Sequence, residues 1–307
     1  MNPVRDVDLD EAERWIRARV PGAGPLRRVQ SEPWGVVYRA QTEHGLVWFK
    51  ACAARQAFEV ALTAALADRW PDVVTDVLAS DDDRRWLLMA HAGRPLVEIA
   101  NPPEQWLDLL PRYAELQVGE TVHAAAHLDR GVPDLRVERL AARFEGLVRS
   151  PLPLDAAETA ALAAFAPRFG GLCDELAHDG IGASVQHDDL HPFNVYLRGG
   201  TLRVLDWGDA SIAHPFFSLF ETFRFLERIN GFRPDDPWFA RMRDAYLEPW
   251  GADPASFDLA LRVGGFAHAI AWVDQREALP EADRAAFDVG FDEVLRLAIR
   301  RALGSSP

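Results

Sequence analysis

The stretch VQHDDLHPFNVYLRGGTLRVLDWGDA, Val185 to Ala210, decides how this chain is read. It sets four Asp, two His and an Asn among apolar residues and around the pair Gly199-Gly200. Carboxylates between apolar runs need partners, because an unpaired charge in a core strand is costly. NVYLR and TLRVLD are β-prone runs, and Gly-Gly suits the positive φ angles of a two-residue turn. That turn sets a register in which Arg198 faces Thr201, Leu197 faces Leu202 and Val195 faces Val204. Asn194 then faces Leu205, next to Asp206, and Asp189 lies on the loop entering the first strand. Three oxygen-bearing side chains thus converge at the open mouth of one hairpin. Such a set suits Mg²⁺, which keeps water and phosphate oxygens as its other ligands. HDDLH also fits a His-x-Asp-x-His metal pattern, but that reading accounts for fewer residues.

Upstream, residues 9 to 20 have helical spacing, with Ala12, Trp15, Ile16 and Ala18 among charged neighbours and Pro21 as the stop. LRRVQ, GVVYRAQ and LVWFKA read as strands, the last two joined by a turn at His44-Gly45. A helix follows from Ala54 to about Trp70. VVTDVLAS and RRWLLMA form another strand pair around the DDD turn. Residues 1–92 are therefore expected to be a strand-rich lobe with one helix. Residues 93–307 are expected to be mainly helical. Trp106, Leu109, Leu110, Tyr113 and Leu116 share a helix face, and Asp155 with Glu158 forms a capping-box pair opening a helix to about Ala177. Gly170-Gly171 is a point where that helix could weaken. From Ala210 to Arg301 the pattern is helical with Pro and Gly breaks, and the GSSP tail is expected to fray.

Asp189, four residues, then Asn194 matches the kinase catalytic-loop pattern D-x-x-x-x-N, and Asp206-Trp207-Gly208 stands where the metal-binding D-F-G triplet belongs. HDDLHPFN…DWGDA resembles the aminoglycoside phosphotransferase and choline kinase-like branch, whose loop commonly reads H-G-D-L-H-x-x-N. The resemblance covers nearly the whole chain and implies an α+β, bilobal protein-kinase-like fold. It implies ATP, with GTP as an alternative, and Mg²⁺ as cofactors, and an acceptor hydroxyl as the target. Asp189 would accept or orient that hydroxyl, and Asn194 and Asp206 would hold the metal. Lys50 would bind phosphate, oriented by Glu59 rather than Asp68. His191 would touch the γ-phosphate, and the backbone of Met89, Ala90, His91 and Ala92 would meet the adenine edge.

Lys50 is the sole lysine beside 32 arginines among 33 basic residues. On the third strand it shares a face with Leu46 and Trp48, where a compact ammonium does what a planar guanidinium does not. Three departures stand out. SEPWGV has only Gly35 in place of a Gly-rich loop. Asp188 replaces the usual Gly of H-G-D, where it would either tune metal affinity or face solvent. Ser218 stands where the family often has the Asp that braces the catalytic loop, so here the bracing must differ. His187 reads as a structural hydrogen-bonder. His123 and His127, at helical i, i+4 spacing, read as helix surface rather than a zinc pair.

Composition frames these readings. Of 307 residues 49% are hydrophobic, and the net charge of −14 argues against nucleic-acid or anionic-membrane binding. Cys52 and Cys173 are too far apart for a CxxC site, and no signal or membrane span is evident, so a cytoplasmic protein is expected. Residues 1–92 hold 12 basic and 14 acidic residues, so −12 of the −14 falls on the remainder. An amine-bearing, aminoglycoside-like acceptor follows from that charge. A neutral sugar, a macrolide or an amino alcohol are the alternatives, as is an inactive nucleotide-binding protein of the same fold. Without an A-P-E segment, protein substrates are disfavoured.

Overall fold

The computed structural model describes residues 7–288 and 290–303; the GSSP tail lies outside them. In chain order the first elements are α1 (Leu9–Arg17), β1 (Arg27–Glu32), β2 (Gly35–Thr42), β3 (Gly45–Cys52), α2 (Phe58–Arg69), β4 (Val77–Asp81), β5 (Trp86–Ala90) and β6 (Arg94–Pro95). Then come α3 (Pro103–Glu120), α4 (Ala124–Asp129), β7 (Asp134–Leu135), α5 (Val137–Arg149), α6 (Ala156–Leu176), β8 (Ser184–Gln186), β9 (Val195–Arg198) and β10 (Thr201–Val204). The chain ends with β11 (Ser211–Ala213), α7 (Leu219–Phe225), α8 (Pro237–Leu247), α9 (Pro254–Ala278), α10 (Glu281–Asp288) and α11 (Phe291–Leu303).

These elements form two compact units. Among the described residues the first comprises residues 7–105, Asp129–Val132 and His191–Ala210; the second comprises Trp106–Leu128, Pro133–Leu190, residues 211–288 and residues 290–303. The sequence boundary at residue 92 falls inside the first unit. The reason is pairing: β6 joins the β9–β10 hairpin through Arg94↔Leu197 and Pro95↔Tyr196, which draws that hairpin into the N-terminal unit. Gly93 permits the approach. Its φ is +103°, and a Cβ there would lie 2.2 Å from the Leu197 carbonyl oxygen.

The first unit is built on an antiparallel sheet of order β1-β2-β3-β5-β4. Alternation sends Val47, Phe49 and Ala51 of β3 into a core with Val36, Tyr38 and Leu88. α1 covers this face, and Trp15, Phe49 and Trp86 pack with ring centroids 5.3–6.1 Å apart. The alternate β3 positions, Lys50 among them, point the other way. Thr42 pairs with Gly45, so the β2–β3 turn is Glu43-His44, one residue earlier than expected. VVTDVLAS is not one strand: β4 begins at Val77, while Val73 accepts a bond from Val204 N and Val74 bridges Val204.

The second unit is mostly helical, with a small sheet of order β7-β11-β8. β11 breaks the helical run expected after Ala210, because Ile212 N bonds Pro133 O and the strand pairs antiparallel with β8. Phe144 stacks on Phe169 at 4.3 Å and both meet Phe266 edge-on at 4.8 and 5.4 Å, joining α5, α6 and α9. The capping box forms as expected: Glu158 N donates to Asp155 Oδ1 and Asp155 N to Glu158 Oε2. α6 runs unbroken past Gly170-Gly171. Among the described residues no helix is long and apolar enough to cross a membrane.

Candidate active site

The first unit carries a buried charge cluster. Lys50 Nζ lies 2.7 Å from Glu59 Oε1 and 2.6 Å from Asp206 Oδ1. Each position has a local cause. Strand alternation turns Lys50 off the Trp15 core, and Glu59 sits in the first turn of α2, where the helix dipole favours an acid. Asp206 precedes the 3-10 turn Trp207–Asp209 with φ +64°, a conformation that Asp tolerates better than bulky residues. The Lys50 and Glu59 side chains are 7% and 2% exposed, whereas that of Asp206 is 50% exposed. Burial opposes the Lys50 charge, but Asp206 and Glu59 overcome it and hold the ammonium well above its ordinary pKa. Burial pushes the Glu59 carboxyl up, with Lys50 pulling it back. Cys52 donates its thiol to Glu59 Oε2 at 3.3 Å, and burial holds that thiol protonated. Gly208 explains itself here, since a Cβ would stand 3.0 Å from Glu59 Oε2.

The β9–β10 register is the one expected from Gly199-Gly200: Arg198↔Thr201, Leu197↔Leu202 and Val195↔Val204. Leu205 N donates to Asn194 O at 2.9 Å, so Asn194 and Asp206 sit at adjacent positions of the hairpin mouth. Asn194 N in turn donates to the His191 carbonyl. The donor chemistry fits a hard cation. Two oxygen-bearing side chains, one a half-exposed carboxylate, leave coordination positions for water and phosphate, as Mg²⁺ requires. Among the described residues no group of three or more His, Cys, Asp or Glu is arranged to hold a metal. His191 is buried, with its ring edge-on to Phe193.

Met89 and Ala90 lie in β5, where Met89 pairs with both Trp48 and Val77. Ala90 N donates to Asp76 O. His91 Nδ1 accepts from Trp48 Nε1 at 3.2 Å, and its carbonyl accepts from Arg198 at 2.7 Å. Much of this segment's polar capacity is therefore engaged within the unit.

The second unit holds the loop His187–Leu190. His187 N donates to Tyr113 Oη, Asp188 N to Gln186 Oε1 and Asp189 N to His187 Nδ1, at 3.1, 2.9 and 3.3 Å. His187 is thus the structural hydrogen-bonder expected. Bracing passes through Ser218, whose hydroxyl meets Tyr113 Oη at 3.0 Å and accepts from Gln117 Nε2 at 3.2 Å. Thr222 Oγ1 donates to Leu190 O at 2.6 Å. Asp188 does not face solvent: it is 5% exposed, has φ +62°, and bonds His268 at 2.9 Å. His127 is no helix-surface residue either. It is fully buried, with Nε2 2.8 Å from Glu120 Oε2, because α4 packs that side inward. Tyr113, Gln117, Glu221 and His268 were not found as site residues from sequence. The one signal was a histidine and a charged pair, Glu221 and Arg224, inside the apolar runs GGFAHAIAW and FETFRF.

No protein-family model matches the chain, and no curated protein matches it. Solved structures do. A protein of Ralstonia eutropha JMP134, named as a candidate aminoglycoside phosphotransferase, is 16% identical, with 98% of this chain and 99% of that one covered and a TM-score of 0.62. A choline kinase from Streptococcus pneumoniae is 12% identical over 96% and 100% of the two chains, with a TM-score of 0.60. An amicoumacin kinase in complex with AMP-PNP, Ca²⁺ and Ami is 12% identical over 95% and 94%, with a TM-score of 0.58. The chain therefore has an α+β, kinase-like fold. More narrowly, it is the fold shared by aminoglycoside phosphotransferases and choline/ethanolamine kinases.

Proposed function

We propose that this protein is an ATP-dependent small-molecule kinase that transfers the γ-phosphate to an acceptor hydroxyl. The observation that carries the reading is the buried Lys50–Glu59 pair with Asp206 on the same ammonium. A chain that otherwise uses arginine keeps its sole lysine there. Lys50 would hold nucleotide phosphates, and Asn194 and Asp206 would hold Mg²⁺, which supplies charge neutralisation of the phosphates when bound. Asp189 would take or orient the proton of the acceptor hydroxyl, and His191 would meet the γ-phosphate. Met89, Ala90 and His91 would border the adenine. The nucleotide analogue and divalent cation named in the amicoumacin kinase complex support a nucleotide–metal pair as the donor. An inactive binding protein would not need Asp189, and the full set Lys50, Glu59, Asp189, Asn194 and Asp206 is present.

For the acceptor, we favour an amine-bearing hydroxylated compound of aminoglycoside type. The support is the −12 balance of residues 93–307. The second unit has a cavity of about 680 Å³ with Phe223, Phe239, Asp235 and Asp258 in its wall, but Arg243 and Arg300 also line it. The cavity itself is therefore mixed in charge, and the argument rests on the bulk field. Calorimetry with Mg-ATP, followed by phosphate transfer to aminoglycosides, sugars, macrolides and amino alcohols at low and high salt, tests both levels. Absence of Mg-ATP binding would remove the kinase reading. Transfer to neutral alcohols alone, with salt-independent KM, would remove only the cationic acceptor.

A further inference from the structure

A chain of five alternating charges, four of them buried, lies behind the loop that carries Asp189. Asp188 Oδ1 is 2.9 Å from His268 Nδ1 on α9. His268 Nε2 is 3.2 Å from Glu221 Oε1 on α7. Arg224 grips that Glu221 carboxylate with Nε 3.0 Å from each oxygen and Nη2 2.6 Å from Oε2. Its Nη1 reaches Glu293 Oε1 on α11 at 3.4 Å. Asp188, Glu221, Arg224 and His268 are all buried. His268 Nδ1 is hydrogen-bonded to Asp188, whereas Nε2 lies within ion-pair distance of Glu221 without a hydrogen bond. Two carboxylates beside one ring favour the imidazolium. Burial alone would lower its pKa, but Asp188 and Glu221 raise it to about 9, in agreement.

This chain acts on a strained point. Asp188 adopts φ +62°, a region L-residues enter at a cost and hold only when their surroundings fix them. The following carbonyl but one, that of Leu190, is fixed by Thr222 on α7. Asp189 thus sits between two anchored neighbours, one tied to α9 by a side-chain charge and one to α7 by a main-chain bond. We infer that His268 is a positioning residue for the transfer step, pinning the Asp188 carboxylate so that the left-handed Asp188 backbone aims Asp189. The inference rests on the kinase reading for the role of Asp189, though the tether itself does not.

The test compares the wild type with His268→Gln, Asp188→Gly and the double variant. Steady-state transfer is read together with amide exchange at Asp188 to Leu190. His268→Gln should lower kcat by about 10- to 100-fold, the cost of a small misplacement, with KM for Mg-ATP unchanged. Exchange at the loop amides should accelerate while the rest of the second unit keeps its protection. The double variant should be no slower than Asp188→Gly, since without the carboxylate His268 has nothing to pin. Wild-type kcat and exchange in His268→Gln would overturn the inference, as would a further loss in the double variant. General loss of protection would make His268 a structural residue and overturn it too. If His268→Gln does not fold, Asp188→Ala decides, because it removes the carboxylate but keeps the strained left-handed backbone: faster loop exchange with lowered kcat supports the tether, and wild-type values refute it. If the wild type itself neither transfers phosphate nor hydrolyses ATP, the kinase reading falls. Loop-confined exchange then still upholds the tether, and unchanged exchange removes it.

Discussion

Replacing Lys50 by Met removes the ammonium and keeps an unbranched apolar stem of similar length. Two carboxylates lose their cation, and the structure says which loss matters. Glu59 is 2% exposed in its side chain and Asp206 50%. Stranding a buried partner costs about 3–5 kcal/mol, whereas an exposed pair is worth about 0–1 kcal/mol. Nearly all of the penalty should therefore come from Glu59 and depend on pH. Burial, together with Asp206, already holds the Glu59 carboxyl above its ordinary 4.5, and Lys50 opposes that rise. An acid with a raised folded pKa binds its proton more tightly when folded, so stability falls as pH rises from 4.5 through the folded value. Without Lys50 that window extends upward. The Lys50→Met penalty should shrink as pH falls from about 8 towards about 5. The ammonium has the opposite sign: its folded pKa lies well above 10.5, so its contribution is complete below 10.5 and is lost only at higher pH. Adding Glu59→Gln should recover more than half of the loss at high pH, because a neutral pair is cheap to bury. Amide exchange of β3 and β5 reads this unit by itself, which matters in a chain of two units that need not unfold in one step. A Lys50→Met penalty that is independent of pH, or untouched by Glu59→Gln, would refute the reasoning.

Asp206→Ala should abolish Mg-ATP binding in calorimetry while costing little stability, since its side chain is half exposed; unchanged affinity would sink the metal role. Asp189→Asn should lower kcat by about 10²–10⁴-fold with nucleotide affinity retained, and near-wild-type turnover would refute a base at that position. Gly208→Ala should weaken nucleotide binding, because its Cβ would press on Glu59 Oε2 from 3.0 Å and disturb the Lys50 pair; normal binding would show that Glu59 has room to yield.

The features legible in the sequence are those fixed by near neighbours. Gly199-Gly200 sets the β9–β10 register within a few residues of itself, and the placement of Asn194 beside Asp206 follows from that register. Glu59 was found because a strand and the next helix leave few carboxylates within reach of Lys50. The Asp155–Glu158 capping box is likewise local. What escaped the reading depends on partners far along the chain. Val73 and Val74 look like the start of β4, yet their partner is Val204, on the hairpin. His127 looks exposed by its i, i+4 spacing from His123, but its burial against Glu120 is decided by how α3 turns into α4. Asp188 could not be placed because its partner, His268, stands 80 residues away on another helix.

The two cation clusters also explain why this chain departs from arginine once. Glu221 offers both oxygens to one side, and Arg224 covers them with Nε and Nη2, the fork matching a single carboxylate. At Lys50 the two oxygens belong to different carboxylates, Glu59 on a helix and Asp206 on a turn, and both reach the same nitrogen at 2.7 and 2.6 Å. A guanidinium would have to split those contacts between nitrogens about 2.3 Å apart in a rigid plane, or turn its fork on one acid and release the other. An ammonium serves both from one point. Geometry thus accounts for arginine where acids are met by different nitrogens of one fork, as Arg224 meets Glu221 and Glu293, and for lysine where two acids must meet on a single nitrogen, and the second arrangement is the one that keeps a half-exposed Asp206 carboxylate beside a buried positive charge.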